Sequence, residues 1–311
     1  MKITFKLLLD KILFKFLLLF IYVFIIVVYQ VYSSQGIPLA VMIGNSPPEV
    51  EHQTGLISAD IIYEIDVEYP FTRLMAIYLQ DKSVLVGPIR SSRYYFSRLA
   101  REWSPVFVHC GGQSFRDEKI IDLDEMHYPS PYWRDKNIGG WINLFTNTKN
   151  IREKIKKMGF PEKIEVENFF SGQRVMEVSG GNISRVSLKY NQKYLVSYQY
   201  NKDGNYYLRL VNSNPHQDSR SFETITVSNI IVQYVKEEKI VQDEEGRINV
   251  EVIGEGVAKI FYGGHYYLAK WIKESKDHAT KYYDNQGNLL PLNQGKVWIH
   301  LVSDRTELWF K

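Results

Sequence analysis

An apolar run near the amino terminus divides the chain into two parts that must fold in different surroundings. The run, ILFKFLLLFIYVFIIVVYQVY at 12–32, is interrupted by Lys15 and Gln30 alone. At about 1.5 Å per residue, a helix of this length spans about 30 Å, the thickness of a hydrocarbon core. The sequence therefore predicts one amino-terminal transmembrane or signal-anchor helix, followed by a body long enough for two ordinary domains.

The charges around the apolar run predict its orientation. Lysines stand at positions 2, 6, 11 and 15, and the next lysine or arginine is Arg73. The positive-inside rule then places the amino terminus in the cytoplasm and the body outside the cell membrane. A cleaved signal peptide, with VYS at 31–33 as its cleavage site, stays open as the alternative and would give a secreted protein.

The body after this segment has no excess charge. Without the four lysines and Asp10, the totals of 38 basic and 35 acidic side chains fall to 34 of each. Nucleic-acid binding driven by an overall positive field is therefore not expected, and any anion site must be local. Cys110 is the only cysteine, so the body has no intrachain disulfide.

Hydrophobic patterning predicts two domains after a stub and anchor at 1–35. Residues 36–178 combine strand-like runs with helices at 91–103 and 147–160, so we expect an α+β fold whose first domain is a mixed α/β, sandwich-like unit. Residues 179–311 alternate in short strands separated by Gly, Asn and Asp, which is typical of a β-rich domain.

The segment GPIRSSRYYFSRLAREW at 87–103 contains four arginines, more than an exposed helix face requires. Ser91 or Ser92 can cap a helix that continues to the end of this segment. Arg90 and Arg93 would lie at its start, where guanidinium groups and free backbone N–H groups suit a phosphate or a carboxylate. This segment is the leading candidate for a ligand site.

Three carboxylates alternate with apolar residues in YEIDVEYP, at Glu64, Asp66 and Glu68. On a strand they would share one face, where they could bind a hard cation or raise the pKa of one of them. The alternative is a solvated face that forms salt bridges with the arginines. In that case the arginine segment requires no external anion.

VFVHCGG at 106–112 places His109, Gly111 and Gly112 at the end of a predicted strand. Strand ends often carry ligand sites, and glycine lets the backbone approach a ligand closely. Adjacent strand residues point to opposite faces, so His109 is not expected to activate Cys110, which we predict to be an inert thiol.

The second half contains one further polar group, in YLRLVNSNPHQD. Arg209, His216 and Asp218 lie in or after a predicted hairpin. His216 and Asp218 suit either a general base with its orienting carboxylate or a set of loop hydrogen bonds. The chain has no HExxH, GxSxG or SxxK motif and no paired CxxC, so neither a metal nor a cofactor is expected.

Taken together, residues 37–304 resemble the YerB family of bacterial proteins, a two-part family without an established function. The resemblance in the first half rests on PLAVMIGNSP, GLISADIIYEIDVE, TRLMAIY, VGPIRSSRYYF and VFVHCGG. In the second half it rests on YLRLVNSNPHQD, ITVSNIIVQYV, GEGVAKIFYGGHYYLAKW and TKYYDNQGNLLPLNQGKVWIHLV. Typical members carry a lipid-attachment cysteine after the signal segment. This chain lacks that cysteine, so the resemblance implies a protein anchor in place of the lipid.

The resemblance also implies which positions are hallmarks of the family. In the first domain these are Asn45, Glu64, Arg73, Pro88, Arg90, Ser91, Arg93, His109, Gly111 and Gly112. In the second domain they are Arg209, His216, Gly256, Gly264, Trp271, Trp298 and Ile299.

We therefore expect a membrane-tethered, extracytoplasmic binding or scaffolding module of the bacterial cell envelope rather than an enzyme. Its expected ligand is an anionic cell-wall polymer or the carboxylates of an envelope protein. A hydrolase or transferase acting on envelope glycan or peptide is the alternative, with Glu64 or His109 as its base. The expected ligand-binding residues are Arg73, Arg90, Ser91, Arg93, His109, Gly111, Gly112, Arg209 and His216.

Overall fold

The structure, a computed structural model, describes residues 36–103, 106–113, 120–160, 180–290 and 295–311, together with Lys15. The apolar run at 12–32, on which the predicted amino-terminal anchor helix rests, lies outside these ranges apart from Lys15. Within the described part of the chain, no helix is both long and apolar enough to cross a membrane.

Strands make up most of the described structure, and its helices are short. The helices are α1 (Pro47–Val50), α2 (Tyr94–Ala100) and α3 (Thr148–Lys157), with a 3-10 helix at Leu56–Ser58. The strands of the first half are β1 (Leu39–Gly44), β2 (Ile61–Asp66), β3 (Thr72–Tyr78), β4 (Leu85–Val86), β5 (Val106–His109), β6 (Ile121–Asp124), β7 (Trp133–Arg134) and β8 (Leu144–Asn147). Those of the second half are β9 (Arg185–Asn191), β10 (Tyr194–Asn201), β11 (Tyr206–Val211), β12 (Asn214–Pro215), β13 (Thr226–Val227), β14 (Asn229–Tyr234), β15 (Glu237–Lys239), β16 (Ile248–Val250), β17 (Gly254–Tyr262), β18 (His265–Lys273), β19 (Lys281–Tyr283), β20 (Val297–Val302) and β21 (Glu307–Phe310).

The predicted fold class is wrong, because strand residues far outnumber helical residues over the described chain, which is mostly β rather than α+β. The clearest difference is the helix predicted at 91–103. It forms only as the seven residues of α2, and no serine side chain caps it. Ser92 instead forms a β-bridge with Gly112, so the backbone stays extended until Arg93. The helix predicted at 147–160 does form, as α3, with the Asn147 side chain accepting from Lys149 N.

A ten-stranded mixed sheet contains strands from both halves of the chain, in the order β19-β18-β17-β14-β20-β2-β3-β1-β5-β6. Strand β20, close to the carboxyl terminus, pairs in parallel with β14 on one side and with β2 on the other. Strands from both sides of the predicted domain boundary at residue 178 therefore form one hydrogen-bonded sheet. The other sheets are β12-β11-β10-β9-β21 with β13 on β11, the three-stranded β4-β8-β7, and the pair β15-β16.

Seven strands of the large sheet run in the same direction, and six of them form two parallel groups whose carboxyl ends share one edge. The seventh is β18, because β17 is antiparallel to both β14 and β18. Strands β14, β20 and β2 form two parallel pairs, as do β1, β5 and β6. Because β3 is antiparallel to both β2 and β1, the two groups also point the same way. In open sheets, the crevices outside carboxyl strand ends are common places for ligands. We call this the carboxyl edge.

Both faces of the central strands of the large sheet are buried, which explains the near-continuous apolar runs in these strands. In β1, Leu39, Val41 and Ile43 belong to a core that also contains side chains of β9, β10 and α3. Ala40 and Met42 point to the opposite core, which contains α2 and β16. The sheet therefore positions loops at its edges rather than on an exposed face.

Candidate functional site

Three arginines converge at the carboxyl edge of the large sheet. Arg73 is the second residue of β3, which begins at this edge. Arg90 lies on an extended segment between β1 and β5: its N donates to Met42 O at 3.1 Å, and its O accepts from Cys110 N at 3.1 Å. Arg93 is the residue that precedes α2. The strand pairing of the sheet and the extended segment that contains Arg90 thus bring together residues that are distant in sequence.

Each of these arginines forms an ion pair within the chain. Arg90 pairs with Glu49 of α1, and Arg93 pairs with Glu68 in the β2–β3 connection. Arg73 Nη2 lies 3.6 Å from the second oxygen of Glu68. These five residues form what we call the arginine cluster. Their acids are Glu49 and Glu68, and not Glu64, which the sequence interpretation placed beside an arginine.

The cluster has three positive charges and two negative charges. Arg90 Nη2 and Arg93 Nε are buried and have no hydrogen-bond partner among the described residues. Burial lowers the pKa of Arg73, Arg90 and Arg93, because the partly dry surroundings disfavour the charged form. An additional anion would therefore stabilise the cluster by supplying the charge and the acceptors that its own acids do not.

Two serines hold the arginines through their carbonyl groups. Arg73 Nη1 donates to Ser91 O at 2.8 Å, and Arg93 Nη1 donates to Ser92 O at 2.6 Å. Gly112 keeps this segment in place, because it forms the β-bridge with Ser92 at a φ of 82°. A methyl group at Gly112 would collide with the carbonyl oxygen of Ser92. Only glycine fits at this position.

Four exposed aromatic side chains lie near the arginine cluster, three of them close to its members in sequence and one in contact with Arg90. Tyr69 and Phe71 lie in the β2–β3 connection, Tyr94 begins α2, and Trp141 covers Arg90; each is between 42% and 62% exposed. The guanidinium carbon of Arg90 lies 3.7 Å from the ring centroid of Trp141, a cation–π contact. We call these four residues the aromatic rim. The sequence analysis did not assign them to the site.

His109 is enclosed rather than exposed beside the arginines. Its side chain is buried, with Nδ1 2.9 Å from Gly111 O and Nε2 bonded to the carboxylate of Asp122. Gly111 N in turn donates to Asp124 at 2.7 Å. The predicted pocket wall of His109 and two glycines is therefore a folded turn that supports the strand ends.

Cys110 is half-buried, and its Sγ lies 3.4 Å from a carboxylate oxygen of Glu125. Burial and this neighbouring negative charge raise the pKa of the Cys110 thiol to about 11. The thiol is therefore protonated at neutral pH, which makes it a poor nucleophile.

Glu64 lies at the centre of a second polar group, which is buried between the two halves of the chain. Its carboxylate has no exposed surface and accepts from Arg209 Nη2 at 2.8 Å and from Trp298 Nε1 at 2.9 Å. Tyr194 donates to its other oxygen at 2.5 Å. The partners of Glu64 named here all belong to the second half, so this carboxylate joins the halves.

His216 continues this buried network. Its Nδ1 lies 2.5 Å from Arg209 Nη1, and its Nε2 lies 2.6 Å from Gln53 Oε1. A guanidinium group only donates, so Nδ1 of His216 must accept. Nε2 must then be protonated and must donate its hydrogen bond to Gln53 Oε1. Gln53 Nε2 then donates to Asn45 Oδ1 at 2.9 Å. The network thus specifies one tautomer of His216.

The charge states in the network follow from burial and from Arg209. Burial would raise the pKa of Glu64, but the positive charge of Arg209 and the hydrogen bonds from Tyr194 and Arg209 contribute in the opposite direction, and the pKa is lowered. Burial and then the same arginine lower the pKa of His216 well below its usual value. At neutral pH the network therefore holds an ionised Glu64 and a neutral His216. With no exposed surface, Glu64 has no contact with solvent through which to act as a base.

The possible pair of His216 and Asp218 does not form as a base with its orienting carboxylate. Asp218 instead accepts from Thr54 Oγ1 at 3.1 Å and from Gly55 N at 2.6 Å. This arrangement corresponds to the alternative interpretation, in which these residues organise a loop.

Sequence reasoning did not identify Glu49 as part of the site. The SPPE stretch at 46–49 has capping-box spacing, and Ser46 N does donate to the Glu49 carboxylate at 2.6 Å. That signal could have marked Glu49 as structured. The capping-box pattern does not predict the ion pair between Glu49 and Arg90. That contact depends on the pairing of β1 with the segment 89–92, which brings the two residues together.

The three alternating carboxylates do not form a cation site. Glu64 pairs with Arg209, Asp66 lies 3.5 Å from Arg305, and Glu68 pairs with Arg93. Across the described ranges of the chain, no group of three or more His, Cys, Asp and Glu side chains is arranged to hold a metal ion.

Comparison with known proteins places the chain in a family. Family models described as "Protein of unknown function (DUF3048)" match it twice, the N-terminal domain at residues 29–161 and the C-terminal domain at 186–299. A protein of Bacillus subtilis (strain 168) named "Putative lipoprotein YerB" is 27% identical over 281 residues, which cover 86% of this chain and 81% of that protein. The chain belongs to the YerB family.

The fold is also shared with a YerB structure. The crystal structure of the YerB protein from Bacillus subtilis matches with a TM-score of 0.77, covering 89% of this chain and 95% of that chain. Their sequence identity is 24%. The two proteins therefore share a fold.

Proposed function

We propose that this YerB-family chain is an extracytoplasmic binding module of the cell envelope, and that its arginine cluster accepts an anionic, sugar-bearing polymer of the wall. The extracytoplasmic location is supported by the charge asymmetry around residues 12–32 and by the lipoprotein name of the Bacillus subtilis relative. The ligand class is supported by the chemistry of the carboxyl edge.

The observation that carries the proposal is the combination of the arginine cluster with the aromatic rim. Guanidinium groups pair with phosphate or carboxylate oxygens in two-pronged geometry. Aromatic rings pack against the apolar faces of sugar rings and keep their own edges solvated. A polymer that alternates anions with sugars can contact both the guanidinium groups and the aromatic rings, whereas an anion without a sugar contacts only the guanidinium groups.

The charge count suggests modest affinity at each site. Glu49 and Glu68 compensate two of the three arginines, so one formal positive charge remains for the ligand. A repeating polymer raises the overall affinity, because each released repeat is replaced by a neighbouring repeat at high local concentration. The electrostatic part of the binding weakens with salt, since these side chains are partly exposed.

The geometry favours binding over hydrolysis or group transfer. Both candidate bases, Glu64 and His109, are enclosed by protein. The thiol of Cys110 is protonated at neutral pH. An enzyme of this class requires a base or nucleophile within reach of the substrate.

The proposal is tested by removing the positive charges of the cluster. The full-length chain, kept in a mild non-ionic detergent, is titrated with glycosylated poly(glycerol phosphate) by isothermal calorimetry. The double variant Arg90→Met/Arg93→Met is expected to bind at least tenfold more weakly, because two guanidinium groups are lost. The double variant Arg185→Met/Lys202→Met also loses two positive charges, on β9 and in the turn after β10, and serves as the charge-matched control. Equal affinity of the two double variants would reject the arginine cluster as the binding site.

A second variant separates loss of binding from loss of folding. Trp141→Ala changes an exposed side chain, so the fold is expected to remain intact by circular dichroism. The variant's affinity for the glycosylated polymer should fall severalfold, while its affinity for unglycosylated poly(glycerol phosphate) should remain almost unchanged. Binding of an acidic peptide with higher affinity than either polymer would instead indicate a protein partner and overturn the ligand class.

A further inference from the structure

A second cleft opens at the carboxyl edge, where β14 and β20 end. Its volume is about 860 Å³, and its walls come from the segments 234–239 and 303–305, with Ile248, Gly256 and Val257. Strands β14 and β20 are parallel neighbours, so both end on this side of the sheet. The segments that follow them separate around the cleft. The cleft shares no lining residue with the arginine cluster.

Glu237 on the wall of this cleft is buried with an unpaired oxygen. Its side chain is 2% exposed, and one carboxylate oxygen pairs with Arg305. The other oxygen, Oε1, is shielded from water and has no hydrogen-bond partner in the described part of the chain. An ionised oxygen without a donor is costly to bury, by about 1–3 kcal/mol or more. A donor supplied by a ligand would remove this cost.

A second carboxylate competes for the same arginine. Arg305 Nη2 lies 3.5 Å from Asp66 Oδ2 while it pairs with Glu237. One guanidinium group thus faces two acids. Burial and the neighbouring Glu237 raise the pKa of Asp66 to about 7, against the opposing effect of Arg305. The site is therefore short of positive charge.

Lys236, which precedes Glu237 on the cleft wall, does not supply the missing charge. Lys236 is exposed and pairs with Glu238 at 2.7 Å, on the solvent side of the same segment. Because Lys236 pairs with Glu238, it does not donate to Glu237 Oε1, and an external donor can do so.

We propose that this cleft binds the primary ammonium group of a ligand, with Glu237 Oε1 as its buried acceptor. An ammonium group carries a positive charge and three N–H donors, so it supplies both the charge and the donor that this oxygen lacks. Guanidinium ligands fit less well, because the other oxygen of Glu237 already pairs with Arg305 and is not free for a bidentate contact. The inference is independent of the proposed polymer binding, since it rests on different residues.

The test uses a matched pair of probes on the full-length chain in mild detergent. Nα-acetyl-lysine amide carries the ammonium group, and the same compound acetylated on its ε-nitrogen lacks the charge. Saturation-transfer NMR is expected to show saturable binding of the first probe and at least tenfold weaker binding of the second. This comparison needs no variant, so it does not depend on the stability of any substitution.

Substitutions then locate the site. Glu237→Gln removes the charge with little change in shape and should weaken the ammonium probe at least tenfold. Glu307→Gln, an exposed residue of β21 outside the cleft lining, is the control and should leave the affinity unchanged. The proposal is overturned if the wild-type chain shows no saturable binding, if both probes bind equally, or if Glu237→Gln binds as tightly as Glu307→Gln.

Discussion

At the scale of single residues, His300 shows how the buried network constrains protonation. Its Nδ1 lies 2.7 Å from the hydroxyl of Tyr190, and its Nε2 lies 2.8 Å from that of Tyr198. Arg209 Nε donates to the Tyr198 oxygen at 3.3 Å, so this hydroxyl uses its own proton toward His300. Nε2 then accepts, and Nδ1 donates to Tyr190. A second proton on the ring has no acceptor in this arrangement.

This arrangement predicts a pH dependence of stability. Burial lowers the pKa of His300 to about 4, below the value of about 6.5 expected in the unfolded chain. Below pH 6.5 the unfolded chain therefore binds a proton that the folded chain does not bind until about pH 4. The stability contributed by His300 should be present above pH 6.5 and should fall by about 3 kcal/mol as the pH decreases to 4.

Urea unfolding at a series of pH values measures this effect as a difference between wild type and His300→Gln. The difference is needed because Asp66, whose pKa is raised, loses stability in the opposite direction, as pH rises toward 7. The free energy of unfolding of His300→Gln should depend less steeply on pH between 6.5 and 4. Parallel pH profiles for the two proteins would show that His300 does not titrate as its environment requires.

At the scale of elements, the turn after β5 positions the arginine segment. Ser92 N donates to Gly111 O at 3.0 Å, and Gln113 N donates to Ser92 O at 3.3 Å. Gly112 lies between these two bonds with a positive φ. The turn therefore acts as a short parallel extension of β5, which keeps α2 from beginning before Tyr94.

The close contact at this turn predicts a position-specific effect of alanine. Gly112→Ala adds a methyl group against the Ser92 backbone, 2.9 Å from its nitrogen, as well as strain at positive φ. We expect the free energy of unfolding to fall by about 3 kcal/mol. Gly140→Ala is the control, because Gly140 also has a positive φ but an added methyl meets nothing within 4 Å.

Thermal and urea unfolding of the two glycine variants give the comparison directly. Gly140→Ala should lose only about 1 kcal/mol from backbone strain. The affinity of Gly112→Ala for the anionic polymer should also fall, since its turn supports Ser91 and Ser92. Similar losses of stability in both variants would show that the contact with Ser92 relaxes without cost.

At the scale of the whole molecule, strand pairing and one buried ion pair join the two halves. Strand β20 closes the ten-stranded sheet between β14 and β2. Behind it, Arg209 of the second half pairs with Glu64 of the first, and both side chains are fully buried. Separating the halves would expose β2 and leave Glu64 without its counter-charge, so we expect the molecule to unfold as one unit.

Removing one partner of this pair is predicted to be severe. Arg209→Met leaves Glu64 buried without a counter-ion, and the free energy of unfolding should fall by about 3–5 kcal/mol. Arg220→Met is the matched control, because Arg220 also bonds across the halves, to Asp135 at 2.8 Å, but is 53% exposed. Its loss should be within about 1 kcal/mol.

The measurement is urea unfolding followed by tryptophan fluorescence and by circular dichroism. Coincident transitions from the two probes are expected for the wild-type chain if the halves unfold together. Two separate transitions, or equal stabilities of Arg209→Met and Arg220→Met, would contradict the role assigned to the buried pair.

Several local features were predictable because they depend on short-range pattern. The strand-like runs expected in residues 36–178 formed strands such as β1, β2 and β3, and the helix predicted at 147–160 formed as α3. The β-rich character of the second half followed from its alternation and turn residues. Salt bridges between the arginines and nearby acids were also one of the two interpretations open from the sequence.

The tertiary structure decided the identity of those acids and the length of α2. Arg90 meets Glu49 and Arg93 meets Glu68 because strand order brings loops together, and strand order is not encoded in periodicity. The α2 helix is short because Ser92 pairs with Gly112 of a distant turn. Parallel pairing of β20 with β2 likewise joins residues more than two hundred positions apart. Local sequence thus determined which segments form strands, and long-range hydrogen bonding determined which charges meet.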